Sequence, residues 1–169
     1  MFLKMARVRQ HLNNDLDDHA EPITEAIVVF EEFSRLISDH EGSLTVDVAN
    51  NGLEFAIKVE GGRSKGIRNM QIFCFDMMLA VLWSARKSGP GFLVHDNHLF
   101  DGMDSRQVAK AIEIEAEQSA KHGFQYLVTL NSDTLNSAEF SEGFDPKPFI
   151  NPVQISDANE SGGLFGTRI

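Results

Sequence analysis

The residues able to do chemistry lie in one stretch of the chain, from Glu60 to Asp104. Gly61, Gly62, Arg63, Ser64 and Lys65 form a glycine-basic turn just ahead of an apolar segment. If that segment is a helix, the turn offers an anion free backbone N–H groups and the positive end of a dipole. The two glycines let the backbone approach a phosphate, and Arg63, Ser64 and Lys65 add donors. The competing reading is an exposed connection with basic decoration. Asp96 ends a short apolar run, Phe92-Leu93-Val94-His95, at the place where open α/β sheets bind ligands. A carboxylate there holds Mg²⁺ through oxygen, directly or through water; alternatively it caps the following turn. A different chemistry is a metal-dependent hydrolase using the loop from His95 to Asp104, where His95, Asp96, His98, Asp101 and Asp104 carry nitrogen and oxygen donors. Against that, His95 faces the opposite way to its strand neighbours and packs against a helix.

Other chemistries are excluded by what is missing. No Ser-His-Asp triad can be read from residue order alone, and the sequence has no catalytic cysteine context. It also lacks a G-x-x-x-x-G-K-[ST] phosphate loop, so nothing in it holds ATP unaided. The single cysteine, Cys74, sits among Phe73 and Phe75 and reads as a buried structural thiol. A formal net charge of -10 argues against a general nucleic-acid surface, which draws on clustered Lys and Arg. Arg63, Lys65 and Arg68 nevertheless cluster at the glycine turn, as a local phosphate site needs. No apolar run reaches the ~18 residues of a membrane span, and the N-terminus lacks the pattern of a signal peptide. A cytoplasmic protein is expected.

The elements that must position these residues follow from periodicity. At 169 residues and 42% hydrophobic, the chain can build one domain with a real core. Residues 1–19 form a narrow-striped helix (Phe2, Met5, Val8, Leu12, Leu16), as in a coiled-coil seam. Pro22 starts or kinks a second helix with Ile23, Ile27, Phe30, Phe33 and Ile37 on one face, ended by Gly42. Segments 43–49 and 53–59 alternate around Asn50-Asn51-Gly52, which predicts a β-hairpin. A helix over 67–86 is apolar nearly all round and therefore buried on most sides. The run 92–95 predicts a central parallel strand. Asp104-Ser105 caps a helix over 106–121 closed by Gly123, and 124–130 forms the next strand, a right-handed parallel crossover. Beyond Asp133 periodicity fades into a helical turn near 134–139, an edge strand over 153–156 and the tail Gly162-Gly163-Leu164-Phe165-Gly166.

Hairpin, glycine-basic turn, long apolar helix, Phe92-Leu93-Val94-His95-Asp96, Gly102-Met103-Asp104 and Tyr126-Leu127-Val128-Thr129 occur in the order of the C-terminal lobe of SMC/RecN-type ABC ATPases. More closely, the chain resembles the C-terminal domain of YydD-like, SMC-related bacterial ATPases, over most of its length. The resemblance implies an α/β fold, the C-terminal lobe of a P-loop NTPase head, with a β-hairpin and parallel strands flanked by helices. Residues 1–40 would be the end of a returning coiled-coil arm and 41–169 the lobe. Gly61, Gly62, Arg63, Ser64 and Lys65 would be the signature motif facing the γ-phosphate of ATP on the opposite head. Asp96 would be the Walker B aspartate on Mg²⁺, with Asn97 and His98 beside it in the catalytic position. Gly102, Met103 and Asp104 would be the D-loop, and Thr129, Leu130 and Asn131 the switch loop. Three positions depart from the pattern: Glu60 stands for the signature Ser, Asn97 for the Glu that polarises water, and Leu130 for the switch His. Asn97 is no general base, so hydrolysis would be slow or would use His98 or Asp101.

The resemblance therefore implies half an ATPase head. Mg²⁺ and ATP are expected only in an assembled head dimer, completed by an N-terminal Walker A lobe on the same or a separate polypeptide. DNA processing or defence is the context it implies. The other class of function open to the same residues is a non-catalytic interaction module that keeps the fold and has lost turnover.

Overall fold

The structure, a computed structural model, describes residues 2–38, 42–49, 52–59, 64–156 and 162–163. The side chains of residues 2–6 and 59 lie outside that description. Two nearly continuous helices open the chain, α1 (Phe2–Asp18) and α2 (Ala20–Ile37). Pro22 falls in the first turn of α2, where its missing N–H has no partner to lose. The second helix ends at Ile37, not at Gly42; Ser38 is already extended, and Gly42 begins a strand. The narrow stripe of α1 meets little core: Val8 is exposed, and Leu12 and Leu16 are half-buried.

Strands β1 (Gly42–Ala49) and β2 (Gly52–Val59) form the expected antiparallel hairpin, pairing Leu44 with Ile57 and Val46 with Phe55. The turn residues Asn50 and Asn51 lie outside the described residues, and so do Glu60, Gly61, Gly62 and Arg63. Helix α3 (Lys65–Ala85) follows, capped by the Ser64 side chain accepting from the N–H of Ile67. Its buried side, with Phe73, Cys74, Met77 and Val81, shares one core with Phe30, Phe33 and Ile37 of α2 and with Leu44. It is less enclosed than its composition predicts, since Ile72 and Trp83 are exposed. Burial pushes the Cys74 thiol up to about 12, which fits an inert structural role.

Strand β3 (Phe92–His95) pairs in parallel with β4 (Gln125–Val128), joined by a turn at Asn97–Phe100 and by α4 (Ser105–His122). Asp104 caps α4 by accepting from the N–H groups of Arg106 and Gln107, while Gln107 reaches back in a capping box. Gly123 closes α4 in the left-handed conformation. β3 is not the buried central strand expected from its composition: Phe92 and Val94 are 53% and 55% exposed. The reason is topological. Among the described residues the sheet has two strands, and α3 and α4 cover one face of it. A short helix, α5 (Ser132–Ser137), corresponds to the predicted helical turn. The expected edge strand over 153–156 does not form; Val153 is 76% exposed and pairs with no strand among the described residues. Among the described residues no helix is long and apolar enough to cross a membrane.

Phe73 and Phe30 are wholly enclosed, so their removal leaves voids that a packed interior relaxes only partly. Phe73→Ala is expected to cost about 3–5 kcal/mol, read as a lower midpoint in urea denaturation.

Candidate functional site

Helix α3 runs back along β3, so its first turn lies against the loop that leaves the carboxyl end of that strand. Gly66, in the first turn, is buried against the backbone of Gly102. A Cβ at Gly66 would come within 2.0 Å of the Gly102 carbonyl oxygen, so only glycine allows this approach. Gly102 itself has φ +80°, a left-handed turn that a side chain would strain. Around this backbone contact three side chains lock the two segments together. Lys65 Nζ is 2.7 Å from Asp101 Oδ2, and His98 Nδ1 is 2.9 Å from the same oxygen. Asn69 donates to the carbonyls of His98 and Asp101 at 2.9 and 3.0 Å. Lys65 and His98 hold the Asp101 carboxyl below the usual carboxylate range.

The remaining predicted residues gather at the same end. Asp96 is exposed, and its Oδ1 accepts from the N–H of His98 at 2.9 Å, so it caps the turn Asn97–Phe100. Asn97 Oδ1 accepts from the N–H of Asn131 at 3.0 Å and from the Thr134 hydroxyl at 3.2 Å, tying the β3 exit to the β4 exit. Thr129 N donates to the His95 carbonyl at 3.1 Å, and Leu130 is half-buried beside the core. Met103 likewise packs on the core, and its N–H donates to Phe100. Ser64, Lys65, Asp96, Asn97, His98, Gly102, Met103 and Asn131 thus share one end of the domain. Gly61, Gly62 and Arg63 lie outside the described residues. Asp104 is committed to capping α4.

The metal-hydrolase donors do not converge. His95 turns into the core, Asp104 caps a helix, and only His98 and Asp101 meet. Among the described residues no group of three or more His, Cys, Asp or Glu is arranged to hold a metal ion. The donor chemistry fits Mg²⁺ in one way. Asp96 gives a single exposed carboxylate, which suffices for Mg²⁺ when nucleotide phosphates and water supply its other oxygens.

Sequence reasoning missed a buried polar cluster beneath this end. His95 Nε2 lies 3.2 Å from Asp76 Oδ2, and Nδ1 lies 2.9 Å from the Tyr126 hydroxyl. Glu115 Oε1 is 3.5 Å from Nδ1, and both Glu115 oxygens are buried with no hydrogen-bond partner among the described residues. Burial disfavours the imidazolium, but Asp76 and Glu115 outweigh it and raise His95 to about 9. Burial raises Glu115 to about 7, with His95 and Tyr126 opposing the rise. Burial and Glu115 also push the Tyr126 phenol up, so it stays protonated. Two signals were present in the sequence: an aspartate inside the apolar stretch Ile72–Trp83, and Glu115 on the inner face of a helix.

Residues 24–169 match the family described as "Uncharacterised protein conserved in bacteria (DUF2326)". No curated protein matches the chain.

Gly66→Ala is expected to destabilise the protein by about 2 kcal/mol or more, measured by urea denaturation, because the added methyl meets backbone. The buried cluster predicts a pH dependence. Both groups bind protons more tightly folded than unfolded, so their stabilisation is present at low pH and is lost as pH rises. For Glu115 the loss runs from its ordinary 4.5 to about 7, and for His95 from 6.5 to about 9. The thermal midpoint should fall as pH is raised from neutrality through about 9, and His95→Gln should flatten that fall.

Proposed function

The chain belongs to this bacterial family, and we propose that it forms the C-terminal half of an SMC/RecN-like ATPase head. The observation that carries the reading is a convergence at one end of a parallel strand pair. There Asp96, the start of α3, the Gly102 loop and the β4 exit all meet. Three segments far apart in sequence, residues 64–66, 96–103 and 129–131, are drawn to the carboxyl end of β3, where α/β sheets bind ligands.

In this reading Asp96 holds Mg²⁺, and Ser64 and Lys65 face a phosphate at the positive end of α3. Bound Mg²⁺ would neutralise charge on the phosphates. Asp101 orients Lys65 and His98 by accepting from both. Gly66 against Gly102 keeps the first turn of α3 in register with the loop that would cross to a second head. The phosphate loop comes from an N-terminal Walker A lobe, on the same or another polypeptide, and two heads together enclose the nucleotide. Head engagement would then move the coiled-coil arm whose end α1 and α2 would form.

One observation favours a second reading, a non-catalytic interaction module. Asn97, at the position of the water-polarising carboxylate, spends its oxygen on Asn131 and Thr134 as a cross-link between loops. An amide so engaged accepts no proton from water.

Titrating Mg-ATP into the isolated chain by calorimetry is expected to show no binding at millimolar concentration; tight binding by this chain alone sinks the half-head reading. In an assembly with a lobe that carries a phosphate loop, Asp96→Ala should lower Mg-dependent turnover by roughly 100-fold or more. An assembly that forms without any turnover in the unaltered protein decides for the interaction module.

A further inference from the structure

Helix α1 carries its charges in two blocks. Lys4, Arg7 and Arg9 occupy its first half, and Asp15, Asp17 and Asp18 occupy its last turn. This order opposes the dipole of the helix, which favours acids at its start and cations at its end. The first turn holds no acid and the last turn no base. Spacing along the helix does not offset that cost, because no cation of α1 has an acid three or four residues away. Asp17 and Asp18 adjoin the start of α2, where acids are favourable, but Arg7 and Arg9 have no comparable neighbour. Arg7, Arg9, Asp15, Asp17 and Asp18 are all exposed, and none forms an ion pair among the described residues.

Beside the charges runs the apolar stripe of Val8, Leu12 and Leu16. α1 lies against the hairpin and α2, yet that packing leaves Val8 53% exposed and Leu12 and Leu16 half-buried. None of the three joins the core. A helix with a partly covered stripe and charges segregated against its own dipole leaves both features unsatisfied when alone.

We propose that α1 pairs with α1 of a second copy of this chain, antiparallel, about a two-fold axis near Leu12. Antiparallel pairing lays the basic half of each helix along the acidic half of the other and sets their dipoles in opposite directions. The two stripes meet between them as a short apolar seam. A parallel pair would set arginine beside arginine and acid beside acid. Charge complementarity singles out this occupant. A nucleic-acid backbone or an anionic membrane surface attracts Arg7 and Arg9 but repels Asp15, Asp17 and Asp18 on the same short helix. A second α1 answers both blocks at once, by two contacts that the two-fold axis makes identical. The inference does not rest on the nucleotide reading, since α1 holds none of the residues assigned there.

Sedimentation equilibrium measures the pairing. At roughly 100 μM and low salt the unaltered chain is expected to dimerise, and about 0.5 M salt should weaken the dimer roughly tenfold. Arg7→Glu with Arg9→Glu makes α1 mostly acidic, and Asp15→Lys with Asp17→Lys and Asp18→Lys makes it basic. Each variant alone should dimerise roughly tenfold more weakly or worse, with circular dichroism unchanged. An equimolar mixture of the two should recover the dimer, a result that damage to the fold cannot produce. If the basic variant unfolds, Val8→Glu replaces it, placing an acid in the seam beside the acidic half of the second copy, and should weaken the dimer by the same factor. The proposal is overturned by a monomer at that concentration, or by a dimer that salt and the substitutions leave unchanged. A mixture that fails to recover the dimer also overturns it. So does a weaker acidic variant beside a tighter basic one, because Arg7 and Arg9 then meet an acidic surface other than α1.

Discussion

The imidazole of His95 holds together the half of the domain that carries the candidate site. It stands on β3, reaches Asp76 on α3 with one nitrogen, and with the other meets Tyr126 on β4 and approaches Glu115 on α4. Four elements are thereby joined by one side chain. The cost is desolvation of two carboxylates and a cation, and in a low-dielectric interior such a group is tolerated only while its partners remain. Glu115 shows how close this balance runs, since its oxygens are buried with the imidazolium as their nearest compensating charge. An apolar cluster would hold the same elements without specifying which faces meet. The ionic one fixes the rotation of β3, and so decides that His95 points inward while Asp96 emerges at the surface.

Above that cluster the domain builds its exposed end from backbone as much as from side chains. Gly66 and Gly102 touch where any Cβ would clash, which sets the distance between the first turn of α3 and the β3 exit loop. Lys65, His98, Asn69 and Asp101 then close over the contact. Asn97 performs the same service on the other side by tying the two strand exits together. The result is a preassembled surface whose polar groups are largely occupied with one another. Asp96 keeps an exposed carboxylate among them.

Much of the fold was legible because its signals are local. The hairpin turn, the capping aspartate at 104 and the glycine C-cap at 123 rest on residues within a few positions of one another, and the parallel pairing of β3 with β4 follows from the order strand, helix, strand. Cys74 as a buried thiol followed from its apolar neighbours. Less legible was the extent of burial. Phe92-Leu93-Val94 has the composition of a strand covered on both faces, and composition does not say whether the covering elements lie within these residues. The expected strand over 153–156 failed for a related reason: alternation needs a neighbouring edge to become a strand, and here it finds none among the described residues. For the candidate site, the segments were legible as a set. The partners were not, because Asn69 with His98, Asn97 with Thr134, and Asp76 with His95 are long-range pairs that no short spacing encodes.

By itself the sequence determined most of the elements and their order, the apolar faces of α2 and α3, and the caps that begin and end α4, since those depend on propensity, periodicity and hydrogen bonds made within a turn. Only the tertiary structure decided that a histidine beside an exposed aspartate is buried between two carboxylates, that Gly66 must meet Gly102, and that β3 and β4 pair with no further strand among the described residues. Those outcomes depend on which faces are pressed together in space. Burial and electrostatic pairing act through distances that chain position does not fix.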